Sequence, residues 1–379
     1  MTRAPRQQPI RILTAVPLCD GHDSAINTIN LELVKNGIEV VYLGYHRSAR
    51  DIVRAAIQED VRAIGISSYN GGHVEFFAEV LKLLKKNGAD DIGIFGGGGG
   101  TITTDDAAKM KSGGVDEIFF AGTPLADVVK FVRTRYGSVP PRRGKPPGDR
   151  LVATMLTQIE SRADSALASS RTRASSRTLA SSRQRPRVIG IAGPGGAGKT
   201  TLIDELVLRV LRGKPKSRIA FLSHDPSILG KGALLGDRAT MVNCQDDRVF
   251  MRSFATRGSA GGLAAHTGRA IRALSNFDFD VILIETVGIG QEAVPFRDGA
   301  ADKTVMVMSP DYGARLQLQK IAMLDAADVI VLNKSDLPAA PAASVELSQR
   351  SGAQVVRTIA KRHRDAGVDE LMKLLELPA

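Results

Sequence analysis

Residues Gly193-Pro-Gly-Gly-Ala-Gly198-Lys199-Thr200 follow the apolar run RVIGIA and precede TTLIDELVLRVL, whose apolar spacing is that of a helix. This is the pattern G-x-x-x-x-G-K-[ST] in a strand, loop and helix setting, and its chemistry is phosphate binding. Gly193, Gly195, Gly196 and Gly198, with Ala197 among them, let successive backbone N–H groups turn inward round phosphate oxygens, and the helix start adds its positive dipole end. Lys199 reaches the outer phosphates, and the hydroxyl of Thr200, with Thr201 behind it, offers a ligand to Mg²⁺.

Farther along, VIVLNKSDL sets Asn333, Lys334, Ser335 and Asp336 directly after an apolar strand. The element resembles the N-K-x-D motif of GTPases, in which the aspartate accepts from guanine N1 and N2, donors that adenine lacks, while the lysine stem packs along the base. GTP is therefore expected as substrate in preference to ATP. Thr358 and Ile359 are expected to supply the last loop on the base side, and Asp369 and Glu370 to be surface charges.

Between these motifs, FDVILIETVGIGQEAV ends a strand at Glu285, with Gly288 three positions on, where many GTPases carry Asp-x-x-Gly. Glu285 is expected to hold a Mg²⁺-bound water, and the Gly288 N–H to face the γ phosphate. The glycine-punctuated segment FLSHDPSILGKGALLGDRATM reads as a switch-like loop. Its Asp225 and Asp237 are candidate carboxylates for Mg²⁺, and Lys231 or Arg238 could neutralise phosphate charge. Catalysis would then rest on Lys199, Glu285 and Asp225; ordinary turns and salt bridges remain the competing reading of the two aspartates.

Near the amino terminus Asp20 and His22 place a carboxylate two residues before an imidazole, a pair able to ligate metal with the aspartate fixing the ring. A capping aspartate beside a surface histidine would look the same. Ser67-Ser68-Tyr69, Gly71-Gly72-His73 and the run Gly96 to Gly100 fall in later loops, where glycines let a bulky group approach the backbone. His73 is expected at a helix start or in a pocket rather than on a metal.

Apolar runs alternating with amphipathic stretches must position these residues. IRILTAV, IEVVYLG, VRAIGISS, DIGIFGG and VDEIFFAG, with helices such as AINTINLELVKN and HVEFFAEVLKLLKKN between them, make five β-α units. They suit a flavodoxin-like, Rossmann-type doubly wound sheet, with its ligand at the strands' carboxyl ends. The pattern fails in YGSVPPRRGKPPGDR; LVATMLTQIESRADSALA then reads as a linker helix and SSRTRASSRTLASSRQRPR as a basic tether. The expected domains are 10–136, a linker over 137–186, and a P-loop NTPase G domain over 187–379.

The net charge of +11 sits partly in the leader arginines and this tether, with few aromatics, so no nucleic-acid role is expected. No apolar run spans a membrane and no secretory h-region opens the chain, so a cytoplasmic location is expected. Cys19 and Cys244 fall in different domains and match no metal or redox spacing.

Together GPGGAGKTT, HDPSILGKGALLGDRATM, ETVGIGQ and NKSD resemble the GTPase chaperones of methylmalonyl-CoA mutase, which guard the loading and repair of adenosylcobalamin in their partner. The first-half loops resemble the cobalamin-binding domain of base-off, histidine-on mutases, with its D-x-H-x-x-G, S-x-L and G-G elements. The resemblance assigns His22 to cobalt, Asp20 to the His22 ring, and Ser67, Gly96 and Gly97 to the cofactor's tail. Ala25 stands where that pattern has glycine and Tyr69 where it has leucine. The domain order is similar to the amino-terminal part of the fused isobutyryl-CoA mutases, whose members suggest a dimer. The acyl-CoA-binding TIM barrel of those enzymes would then be a separate subunit or a missing carboxyl-terminal region, and this chain should hydrolyse GTP without isomerising acyl-CoA. A cobalamin-binding regulatory or storage protein without turnover stays open as a rival, as does a nickel-type metallochaperone, which would show a His-rich run or close cysteines.

Overall fold

The strand-forming runs are apolar on successive residues, the signature of parallel strands covered on both faces, and the strands they form are almost wholly buried. The computed structural model describes residues 9–17, 24–69, 71–98, 100–137, 148–166, 185–228, 231–288, 296, 299–312 and 324–378. Asp20 and His22 lie outside them. The chain packs as two units, Met1–Ser169 with Ser227–Ala239, and Ser170–Pro226 with Thr240–Ala379.

In the first unit β1 (Arg11–Ala15), β2 (Glu39–Tyr42), β3 (Ala63–Ser67), β4 (Gly93–Gly98) and β5 (Glu117–Phe120) alternate with α1 (Ser24–Lys35), α2 (Ala49–Gln58), α3 (His73–Lys86), α4 (Thr104–Ser112) and α5 (Leu125–Tyr136). The parallel order β5-β4-β3-β1-β2 is the flavodoxin-like winding, with its reversal between β1 and β3. Local chemistry sets the helix starts. Ser48 and Asp51 form a reciprocal capping box on α2, and Thr103 and Asp106 form another on α4. Gly72, in the left-handed region at φ 86, turns the chain into α3.

This unit departs from the sequence expectation twice. The helix placed in the linker, α6 (Gly148–Ala166), packs on α2, burying Val152, Ala153 and Leu156. More unexpectedly, part of the switch-like loop forms the strand β8 (Ala233–Leu235), which extends the sheet by pairing in parallel with β2. Gly232 permits the approach, since a Cβ there would lie 2.1 Å from the carbonyl of Ile38.

A buried cluster of charges locks both additions. Arg11 lies 2.8 Å from Glu39, 3.0 Å from Glu160 of α6 and 3.8 Å from Glu59, while Arg238 donates to Glu59 at 2.7 Å and to Gln58 at 3.1 Å. Burial alone would push the Arg11 pKa down; the three carboxylates outweigh it and hold it above the ordinary value. Arg238 is thus a correction: expected near phosphate, it is buried among the first unit's carboxylates, because only paired charge is tolerated there.

The second unit has a seven-stranded parallel sheet in the order β13-β12-β11-β6-β10-β7-β9. It comprises β6 (Arg187–Ala192), β7 (Ile219–Asp225), β9 (Val249–Ala255), β10 (Val281–Glu285), β11 (Lys303–Met308), β12 (Val329–Leu332) and β13 (Gln354–Arg357). Helices α7 (Lys199–Gly213), α8 (Thr267–Leu274), α9 (Ala340–Arg350) and α10 (Ala366–Leu374) connect or flank them. The first strand, β6, sits between β10 and β11, so the winding reverses where the glycine loop leaves the sheet.

Candidate functional site

In the second unit the glycine loop runs from β6 to the start of α7. Gly193, Gly196 and Gly198 all have positive φ, at 154°, 76° and 88°. Gly198 is also hemmed in, since a Cβ there would lie 2.4 Å from Asn333 Nδ2. The Asn333 amide donates to the carbonyl of Ala197 at 3.0 Å and accepts from the Thr358 hydroxyl at 3.1 Å and the Ala360 N–H at 3.0 Å. One side chain therefore ties the phosphate loop to the base-side loop.

The polar groups converge on Glu285. Thr200 Oγ1 donates to Glu285 Oε1 at 3.0 Å, and the Lys199 ammonium lies 4.0 Å from the same oxygen and 3.2 Å from the carbonyl of Pro194. Lys199 and Glu285 are both buried, which strengthens their attraction over that of a surface pair. The Gly195 N–H donates to the Gly288 carbonyl at 2.9 Å, so the expected γ-phosphate sensor touches the phosphate loop itself. Thr201 is exposed on the first turn of α7.

On the base side, Lys334 adopts the left-handed region at φ 57, and the Ser335 N–H donates to the Thr358 carbonyl at 3.0 Å. A hydrogen bond from Lys361, at 2.7 Å, holds the Asp336 carboxyl below the usual carboxylate range. Asp336 therefore stays an acceptor, as recognition of guanine N1 and N2 requires. Ile359 follows Thr358 and is half-buried.

Among the described residues no three His, Cys, Asp or Glu side chains gather as a metal-holding group. Asp225 ends β7 of the second unit, whereas Asp237 opens a short 3₁₀ turn of the first. Mg²⁺ held through nucleotide phosphates needs only one or two protein ligands, and the Thr200–Glu285 pair fits that requirement.

Sequence reasoning missed His224. It is buried with Nδ1 2.8 Å from the Glu285 carbonyl and Nε2 2.8 Å from Thr267 Oγ1, and burial pushes its pKa down to about 3. A histidine inside an apolar run beside Asp225 was the only signal available.

In the first unit the carboxyl ends of β3, β4 and β5 border a cavity of about 450 Å³ whose lining includes Ser67, Tyr69, Gly96, Gly97, Phe119 and Ala25. Ser67 and the first two glycines of the run thus come together, as do the two departures Ala25 and Tyr69. The glycines also serve strand packing: a Cβ on Gly96 would lie 2.5 Å from the Ile66 carbonyl, and one on Gly97 2.6 Å from the Phe119 carbonyl. His73 is the first residue of α3, with Nε2 3.3 Å from Asp106, consistent with its expected helix-start role.

This geometry sets the second unit among P-loop nucleotide-binding domains and the first among doubly wound domains that bind at the strands' carboxyl ends. The chain belongs to the methylmalonyl-CoA mutase-associated GTPase MeaB family, whose model matches residues 152–373, and a B12 binding domain model matches residues 10–129. The fused isobutyryl-CoA mutase of Geobacillus kaustophilus is 37% identical over 401 residues, 97% of this chain and 36% of the relative. That of Cupriavidus metallidurans is 37% identical over 344 residues, 86% of this chain and 31% of the relative. The mouse methylmalonic aciduria type A homolog is 35% identical over 150 residues, covering 39% of this chain and 35% of the relative. The chain spans about a third of the length of these curated relatives. No helix among the described residues is long and apolar enough to cross a membrane.

Proposed function

We propose that this chain is the GTP-hydrolysing, adenosylcobalamin-binding component of an acyl-CoA mutase of the isobutyryl-CoA or methylmalonyl-CoA type, coupling hydrolysis to loading or protection of the cofactor. The observation that carries the reading is the convergence of Thr200 and Lys199 on Glu285, beneath a glycine loop that Asn333 fastens to the base-side loop. Lys199 neutralises charge on the outer phosphates. Thr200 and Glu285, with Asp225 as a further carboxylate, hold Mg²⁺ or its waters, and Asp336 selects guanine. The Gly288 N–H follows the γ phosphate, while its carbonyl accepts from the Gly195 N–H of the glycine loop.

In the first unit, Ser67, Gly96 and Gly97 border the space for the cofactor's tail, and the D-x-H pattern assigns His22 to cobalt and Asp20 to the His22 ring. Bound adenosylcobalamin would supply the radical chemistry, which also needs an acyl-CoA-binding barrel from a mutase partner or another part of the same polypeptide. Homodimerisation and a cytoplasmic location belong to the same reading.

Two measurements test it. Mg²⁺-dependent hydrolysis should favour GTP over ATP, and Asp336→Asn should shift preference towards xanthosine triphosphate, whose 2-oxo group accepts from an amide. Equal turnover of ATP and GTP would sink the assignment of the base. An ultraviolet-visible titration with adenosylcobalamin should give a base-off, histidine-on spectrum that His22→Ala abolishes; absence of corrinoid binding would sink the first unit's role.

A further inference from the structure

We propose that His224 is a positioning residue for Glu285, holding the end of β10 so that the carboxylate stays aimed at Thr200 and Lys199. The inference rests on the GTPase reading of this site and extends it to a residue outside the phosphate, metal and base contacts.

The strand register shows why a side chain is needed there. On its β6 flank β10 stays in register to its last residue, Glu285 opposite Ile191. On its β7 flank the register ends one residue earlier, at Ile284 opposite Leu222. The imidazole of His224, two residues beyond Leu222 on β7, meets the Glu285 carbonyl at 2.8 Å and carries the connection one step past the last paired residue.

The chemistry of the partners fixes the ring. A carbonyl can only accept, so Nδ1 carries the proton, and in the neutral ring Nε2 is left as an acceptor. Thr267 Oγ1 lies 2.8 Å from Nε2 and 2.7 Å from the carbonyl of Ala264, so its one hydroxyl proton is shared between two acceptors. His224 thus cross-links the exit of β10 to the start of α8. The next residues are pinned by backbone bonds, Thr286 N–H to Ile191 and Val287 N–H to Gly262, each at 3.0 Å. With His224 in place, three successive residues from Glu285 are held, and the Glu285 carboxylate is left to face Thr200.

The test uses the full chain with His224→Asn, His224→Gln and His224→Leu, measuring GTP hydrolysis over graded Mg²⁺ together with KM and thermal melting. Asparagine sets an N–H near the place of Nδ1, glutamine reaches towards Nε2, and leucine replaces neither. Leucine and glutamine should lower kcat or raise the half-saturating Mg²⁺ by about tenfold or more, the usual effect of losing a partner behind a ligand, with KM for GTP changed less than threefold. Asparagine should recover most of the loss, although its melting temperature falls with the others. Wild-type Mg²⁺ dependence and kcat in His224→Leu would overturn the proposal, as would an asparagine variant no better than leucine. A wild-type chain without GTP turnover would instead overturn the GTPase reading on which it rests.

Discussion

Asn333 donates through Nδ2 to the carbonyl of Ala197, 136 residues earlier, at 3.0 Å, while its Oδ1 serves Thr358 and Ala360. The first residue of the N-K-S-D motif is therefore also the pin of the glycine loop. Replacing it by alanine removes partners from three groups in the buried interior, at about 1–3 kcal/mol for each left unsatisfied. Asn333→Ala should melt earlier than wild type and raise KM for GTP. Asn333→Asp keeps the acceptor side and should fall between the two; equal stability of all three chains would count against the pin.

Gly198 faces two penalties on substitution. Its φ of 88° strains any L side chain, and a Cβ would stand 2.4 Å from Asn333 Nδ2. Gly198→Ala should weaken nucleotide binding by about tenfold or more, the equivalent of about 1.4 kcal/mol, in a fluorescent-GTP titration. Unchanged affinity would mean that the loop tolerates both displacements.

The ion pairs around Arg238 answer to a stability measurement. Arg238→Met leaves Glu59 with Arg11 at 3.8 Å as its remaining cation in the cluster. Loss of one partner of a buried pair costs about 3–5 kcal/mol, so the first unit should unfold at markedly lower urea. A variant as stable as wild type would show that methionine packing compensates.

Tyr136 gives an alkaline signature. Burial, then the negative charge of Asp116 and the hydrogen bond to it at 2.9 Å, raise the phenol's pKa above its usual value. Above pH about 10 the unfolded chain loses this proton before the folded one does, so the contribution to stability is full below that pH and declines as pH rises. Tyr136→Phe should be less stable than wild type near neutrality, with the difference shrinking above pH 10. A difference constant with pH would deny the linkage.

Strands β1 to β5 of the first sheet and the glycine loop were legible in the sequence because each is written locally, as an apolar run or as a contiguous motif. Glu160 was not, since inward aim of one charge on α6 depends on an arginine far away in sequence. Nor was β8, a three-residue strand among glycines, too short to show a period of two. The glycines at 96 and 97 carry two requirements at once, cavity and strand packing, of which the sequence reading saw one. The contact from His224 to the Glu285 backbone left no trace in either motif.

Most two-unit chains can be divided by a single scission, but the path of this one changes allegiance three times, after residues 169, 226 and 239. A nick between 169 and 185 would leave the downstream piece still supplying Ala233–Leu235 and Arg238 to the upstream one. Residues 1–169 produced alone would bare the margin of β2 and take from Glu59 the Arg238 guanidinium at 2.7 Å. An autonomous first unit would need residues 227–239 grafted back, so the heritable module reaches beyond the segment matched by the B12 binding domain model and is written in two places along the gene.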